Sequence, residues 1–441
     1  MIWSDPAWYE AFAVLMALVC VPMFLGIPVV FAFFFANIVG VFLFKGGHIG
    51  LVQMPAEFVE ALARYSYVAV PLFVLMGEIL FHTGLAFRAI NAIDRLISRV
   101  PGRLSVVSIA GGTVFASLSG STIGNTALLG SVLLPDMIKR GYDPKIAMGP
   151  IMAVGGIAML IPPSSLAVLL ASLAEKPVKE LLIAGIVPGL MMAGLFVSYV
   201  VMRCYLNPKL APAHDDEAPT GSRWGPFFRN VLPLMSIFVV VVGSILLEVA
   251  SPEDSAALGC VAALLAAICY RAASRSNVMK ALIETAKINV MILFVIAGSL
   301  TFTQLLGISG ALDGLLGQIE QYKFTQIEAL LLMMAILLFL GMFMDQISMI
   351  LLTLPVFLKM AEAIQIPDLW LLILILIAME VSLLTPPFGL LLFVMKGVAP
   401  PKTTFTTIIA AAVPYVTIEI FVMFLIVVFP ILAIGLPSLL R

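Results

Sequence analysis

The chain carries a faint second copy of itself. Asn125 stands ten residues before Pro135, and Asp345 stands ten residues before Pro355. Pro162-Pro163 returns as Pro386-Pro387, Pro177 as Pro401, and Leu72-Phe73-Val74 with Gly77 as Leu293-Phe294-Val295 with Gly298. Every offset lies close to half of the 441 residues. One such match could arise by chance; four at nearly constant offset, inside very apolar sequence, mark a membrane fold built from two structural repeats.

The apolar character decides the class. The chain is 62% hydrophobic and only 11% charged, with a mean hydropathy of +1.14. A soluble protein has no use for so much apolar surface, whereas a polytopic membrane protein does. A net charge of −1 gives no support to a nucleic-acid partner. Cys20, Cys204, Cys260 and Cys269 form no CxxC pair, and His48, His82 and His214 are scattered, so no metal-ligand cluster and no cofactor is expected. The opening MIWSDPAWYE lacks the positive start of a cleavable signal, so the first apolar run is expected to remain as a helix.

A crossing helix needs about 20 apolar residues. Ten segments read as crossings, near 7–25, 29–45, 61–81, 145–172, 181–203, 229–249, 255–270, 288–306, 367–395 and 404–437. Two more, 104–138 and 326–360, are too long for one helix and carry glycine and polar residues at their centres. Arg95, Arg99 and Arg103 precede the first, and Lys139, Arg140 and Lys145 follow it, so both of its ends belong on the cytoplasmic side. The second is flanked by Glu320, Lys323 and Glu328, then by Lys359, Glu362 and Asp368, a balance that fits the outer side. Each is therefore expected to be a re-entrant hairpin, the two entering from opposite faces, with both termini periplasmic. Segments 84–100 and 308–320 have helical amphipathic spacing and read either as surface helices bracing the hairpins or as ordinary loop helices.

The expected fold is an all-α polytopic membrane protein with an inverted-topology repeat. The first repeat covers 1–206, with hairpin 104–138 and broken helix 145–172. A cytoplasmic linker covers 207–228. The second repeat covers 229–441, with hairpin 326–360 and broken helix 367–395.

Non-helical backbone at membrane depth is tolerated only where protein or a watery cavity satisfies its polar groups. Four breaks qualify. The first is the tip from Ser117 to Thr126, where hydroxyls, Gly120, Gly124 and Asn125 crowd into apolar sequence. Glycine frees the chain from helical geometry, hydroxyls supply hard oxygen ligands, and a helix restarting beyond the tip aims its positive end at an anion. The plainer reading is that small residues simply permit close helix packing. The second is the tip from Gly341 to Ser348, where Asp345 is an intramembrane carboxylate and its positional match is Asn125. An interfacial, snorkelling aspartate is the alternative. The last two are Gly155-Gly156 leading to Pro162-Pro163, and Glu380 leading to Thr385-Pro386-Pro387; paired prolines remove amide donors and force the helix open. Glu78, Glu248, Glu284 and Glu419 read as interfacial or snorkelling groups.

The strings GGTVFASLSGSTIGNTALLGSVLLPDM (111–137), MLIPPSSLAVLLA (159–171) and LLTPPFGLLLFV (383–394) resemble the large membrane subunit of the tripartite ATP-independent periplasmic (TRAP) transporters. The likeness runs over essentially the whole chain. It implies an elevator-type transporter of the bacterial inner membrane that imports an organic acid, such as a C4-dicarboxylate or sialic acid, with sodium as the coupling ion. It also implies two separate partners, a small four-helix membrane subunit and a periplasmic substrate-binding protein. Carried onto this chain, one sodium site falls at Ser119, Gly120, Ser121 and Asn125 with Gly155 and Gly156. A second falls at Gly341 and Asp345 with Thr385 and Pro386. Substrate would meet Ser121, Thr122, Ser348 and Pro163. A stand-alone sodium- or proton-coupled carboxylate transporter of the same fold is the nearest alternative. An intramembrane enzyme would need a second acid at the depth of Asp345, for which Glu380 is the best candidate.

Overall fold

The computed structural model describes residues 6–96, 100–119, 121–212, 224–387 and 389–439. The described residues form helices in two series, before and after residues 207–223. The first series is α1 (Trp8–Phe24), α2 (Val29–Phe44), α3 (His48–Leu62), α4 (Ala69–His82), α5 (Leu85–Leu96), α6 (Arg103–Ser119), α7 (Thr122–Lys139), α8 (Pro144–Ile157), α9 (Ser165–Leu173) and α10 (Val178–Leu206). The second is α11 (Trp224–Asn230), α12 (Leu232–Leu246), α13 (Pro252–Cys269), α14 (Arg275–Ile308), α15 (Ala311–Tyr322), α16 (Gln326–Gly341), α17 (Gln346–Ile364), α18 (Asp368–Leu384), α19 (Leu390–Val398), α20 (Phe405–Val428) and α21 (Ile431–Leu439).

Sequence dictates most of these boundaries. The paired prolines end α8 and α18 and leave open turns before α9 and α19. Both Pro-Pro bonds are cis. Helix α5 buries Leu85, Ala86, Ala89, Ile90 and Ile93 and turns Arg88 and Asn91 outward, the three-and-four spacing of an amphipathic helix. Its counterpart α15 needs glycine at 314, because a Cβ there would stand 2.0 Å from Trp8 Cγ. The two series interlock: α2 packs on α14, and α13 packs on α4.

Helix α10 spans about 43 Å at 1.5 Å per residue and gives the molecule two ends. At its start Lys179 pairs with Glu248 at 2.7 Å and Lys176 with Asp368 at 2.6 Å, while Arg64 pairs with Glu175 at 2.5 Å. At its finish Cys204 lies against Gly102, and Leu210 O accepts from Asp143 N at 2.8 Å. The pair α6–α7 therefore opens toward the Cys204 end, and the pair α16–α17, followed directly by Asp368, opens toward the Lys179 end. The two hairpins point in opposite directions.

The lengths refine the expected crossings. Tyr65–His82, α10, α13, α14 and α20 are long and apolar enough to cross a membrane, and α11 with α12 reaches that length only as a pair bent by 41°. Helices α1 and α2 are shorter, at 17 and 16 residues. Helix α17, expected as half of a hairpin, has 19 residues and also meets the length and apolarity needed to cross. Three corrections follow. Residues 48–62 form a helix of their own, α3. Segment 288–306 is only part of the 34-residue α14. The run 404–437 is two helices, because Pro430 interrupts it and α21 folds back onto α10 and α18.

Leu160 O in the first break lies 2.2 Å from where a Cβ would stand on Gly185, so this turn is seated on bare backbone. Gly185→Val should therefore cost about 1–3 kcal/mol. Gly194→Ala on the same helix, with nothing within 4 Å, should be neutral or stabilising. Thermal midpoints of the two variants in detergent check the contrast.

Candidate functional site

The first tip is built on a helix restart. Ser121 is extended, at φ −112° and ψ 111°, and its Oγ accepts from Gly124 N at 3.1 Å, capping α7. One turn on, fully buried Asn125 donates from Nδ2 to Gly112 O at 3.3 Å and Val154 O at 3.2 Å, tying α7 to both α6 and α8. Asn125 Oδ1 and Thr126 Oγ1 are buried and have no hydrogen-bond partner. The threonine lies where α8 comes close: a Cβ on Gly155 would stand 2.3 Å from Thr126 Oγ1 and 3.2 Å from Thr122 O. Two hard oxygens therefore lie beside bare backbone, with the Asn125 amide oxygen on the preceding residue of α7, the kind of donor a sodium ion favours. Ser119 closes α6, and Gly120 lies outside the described residues. Thr126 was within the tip string read from sequence but was not singled out there.

The second tip is organised around Asp345. Its Oδ2 accepts from Ile347 N at 3.1 Å and Ser348 N at 3.2 Å, and Ser348 Oγ donates to Oδ1. The carboxylate thus caps α17 and offsets the positive end of that helix. Beside it, Gly341 lies against Ser382, whose Cβ would be 2.1 Å from a Cβ added to the glycine. Thr385 closes α18 and donates from Oγ1 to Val381 O at 2.7 Å. Pro386 is exposed, and Gly389 N donates to Thr385 O at 3.0 Å across the break.

Contacts link the breaks in pairs. Gln346 Nε2 of the second tip donates to Met159 Sδ of the first break at 3.1 Å. Leu391, at the start of α19, touches Gly155 beside the first tip, and α19 packs along α7. The start of α19 lies beside that of α7, and the start of α17 meets the break between α8 and α9. Three carry side-chain caps, Ser121, Ser164 and Asp345, while α19 starts at Gly389 with none.

The pairing inferred from spacing changes in the structure. The counterpart of Asp345 is Ser121: each is the extended cap of its second hairpin arm, and each accepts from the amide three residues on. Asn125 sits inside α7 instead. Of the expected substrate contacts, Ser121 is half-buried, Thr122 is buried with its carbonyl toward Gly155, Pro163 is buried, and the Ser348 hydroxyl is engaged by Asp345. Gly155 and Gly156 face opposite ways, the first toward the tip and the second into Glu380, 2.2 Å from its Cγ to an added Cβ. Glu419, expected to snorkel, is fully buried.

Two oppositely directed helical hairpins, two helices opened at paired prolines and a run of apolar helices long enough to cross define a multi-pass membrane permease. The chain belongs to the DctM component family of the tripartite ATP-independent periplasmic transporters, whose profile it matches over residues 15–432. It is 29% identical to the C4-dicarboxylate TRAP transporter large permease protein DctM of Pseudomonas aeruginosa, over 86% of this chain and 88% of that protein. It is 28% identical to the ectoine TRAP transporter large permease protein TeaC of Halomonas elongata, over 95% and 96%. It is 29% identical to the 2,3-diketo-L-gulonate TRAP transporter large permease protein YiaN of Escherichia coli, over 83% and 85%. The YdaH transporter of Alcanivorax borkumensis shares the fold, with a TM-score of 0.61 at 15% identity over 86% of this chain and 88% of that one.

Because Asp345 is a helix cap, its two nearest replacements should separate fold from charge. Asp345→Ala should lose about 1 kcal/mol of stability. Asp345→Asn retains an acceptor for the two amides and should stay near the parent, as thermal denaturation in sodium-free buffer will report.

Proposed function

We propose that this chain is the large permease subunit of a sodium-coupled TRAP transporter that imports an organic acid across the bacterial inner membrane. The observation that carries the reading is the pair of unpartnered buried oxygens on α7, Asn125 Oδ1 and Thr126 Oγ1, the second of them and the Thr122 carbonyl lying against Gly155 of the first broken helix. Buried polar groups are almost always satisfied, so this pair asks for a partner. A sodium ion between the first tip (Ser119, Gly120, Ser121, Asn125, Thr126) and the Gly155 face of α8 would supply it. A second ion is assigned between Gly341, Asp345 and the Thr385-Pro386 turn, by symmetry of position.

Substrate is assigned to the space between the tips, against Ser121, Thr122, Ser348 and Pro163. Among the described residues neither tip, 121–126 or 341–348, carries a basic side chain. The positive field for a carboxylate then comes from helix N-termini and bound sodium. Relatives named for C4-dicarboxylate, ectoine and 2,3-diketo-L-gulonate show how widely the solute varies in this family. The reading includes re-entrant hairpins, both termini in the periplasm and an elevator motion. In that motion the hairpins, broken helices, α10 and α20 move against α1–α4 and α12–α14. A small membrane subunit and a periplasmic binding protein complete the transporter.

The test combines binding with uptake. Sodium chloride should raise the thermal midpoint of the purified protein above that in choline chloride, by about 2.7 kcal/mol of stabilisation at a hundredfold excess over Kd. Thr126→Val and Asp345→Asn should each shrink the effect. In proteoliposomes, uptake of the cognate acid should require a sodium gradient, the small subunit and the binding protein. A midpoint indifferent to sodium would remove the coupling claim, and uptake by the chain alone would favour a stand-alone carboxylate transporter.

A further inference from the structure

Two ion pairs near the start of α10 join helices that the elevator reading puts on opposite sides of its sliding boundary. Arg64, between α3 and α4, pairs with Glu175, between α9 and α10, at 2.5 Å. Lys179 of α10 pairs with Glu248, between α12 and α13, at 2.7 Å. Glu175 and Lys179 thus belong to the moving set, and Arg64 and Glu248 to the fixed one. Lys176 pairs instead with Asp368 of α18, inside the moving set. Both acids stand in left-handed turns just past a helix end, Glu175 at φ 54° and Glu248 at φ 56°, where glycine is favoured. Arg271, Lys323 and Gln365 share that conformation, so the turn alone does not single the acids out; their partners across the boundary do.

Packing leaves this end of the boundary incompletely closed. A cavity of about 880 Å³ lies between α10 and the α12–α13 turn, lined by Lys179, Ile183, Ile245, Glu248 and Pro252. Another of about 310 Å³ lies beside Glu175, between Ser299 and Thr303 of α14 and Leu351 and Leu354 of α17. Side chains that face a gap forgo the dispersion contacts that would hold the two sets together, which leaves more of the fastening to charge. We propose that Arg64–Glu175 and Lys179–Glu248 form an ionic latch, which holds the two sets of helices in the arrangement seen here and opens when they slide. The pairs are partly exposed, and such pairs shift an equilibrium only severalfold. That weakness suits a carrier, since the latch sets a resting population without trapping it.

The inference rests on the elevator reading, and the experiment separates the two. Spin labels are attached through M202C on α10 and V261C on α13, both exposed positions, in a chain carrying C20A/C204A/C260A/C269A and held in lipid nanodiscs. Pulsed dipolar spectroscopy gives the populations of α10–α13 distances. In E175Q/E248Q the latched distance should lose ground to the alternative by about two- to fivefold per pair. Reversing both pairs, with R64E/E175R/K179E/E248K, should restore it. Two populations that E175Q/E248Q leaves unmoved, or that the reversal does not recover, refute the latch and leave the elevator standing. A single distance shared by every variant, in sodium and in choline chloride, overturns the motion and the latch with it. Should E175Q/E248Q fail to fold, E175G/E248G decides: glycine suits both turns and removes both charges, so the same shift is expected and its absence refutes the latch.

Discussion

The architecture depends on how closely α8 can approach its neighbours at residues 155 and 156. Any side chain at Gly155 would meet Thr126 and the Thr122 carbonyl, and any at Gly156 would meet Glu380. Bare backbone on both sides of one helix lets a hairpin tip and a second broken helix press in from opposite directions. That proximity is what allows a polar centre to exist inside so apolar a chain. Polar atoms in such surroundings are costly alone and tolerable when several converge on a common partner. A larger residue at either position would separate the groups by ångströms, and each would then have to be satisfied alone.

Much of the fold was legible because membrane sequence is simple in kind. Apolar runs marked the all-helical, membrane-spanning character, and the paired prolines marked where the helices open near 162 and 386, since those features are dictated by backbone hydrogen bonding. The errors came where apolarity is silent about geometry. Residues 48–62 were not read as a helix because Gln53, Glu57 and Glu60 interrupt the apolar run. The run 404–437 looked like one span, because Pro430 stood near its end and nothing local shows that α21 packs back on α10.

The site was less legible, for a physical reason. Sequence spacing aligned Asn125 with Asp345 through prolines ten residues beyond each, but those prolines lie at different depths in α7 and α17. The caps define the tips, and they fall at Ser121 and Asp345. The hydroxyl and the carboxylate do the same local work, yet only the second adds charge. Thr126 became visible once Gly155 was placed beside it. Glu419 reads as a snorkelling group and is buried instead, because one glutamate in an apolar helix looks the same in sequence whether its neighbour is lipid or protein.

This difference in charge bears on why ions should be needed. Three of the converging helix starts have side-chain caps, and the cap of α17 is itself an anion that offsets the positive end of its own helix. An organic acid brought between the tips would add further negative charge to a centre whose described tip residues contain no arginine, lysine or histidine. Helix N-termini near half a charge each are the fixed positive groups at this centre. Any further positive charge would have to arrive with the substrate. On the proposed reading sodium brings it, and a loaded centre close to neutral is the one that can slide past hydrocarbon at modest cost. On that same reading coupling follows from leaving fixed cations out of the site, because an arginine there would bind the acid without sodium.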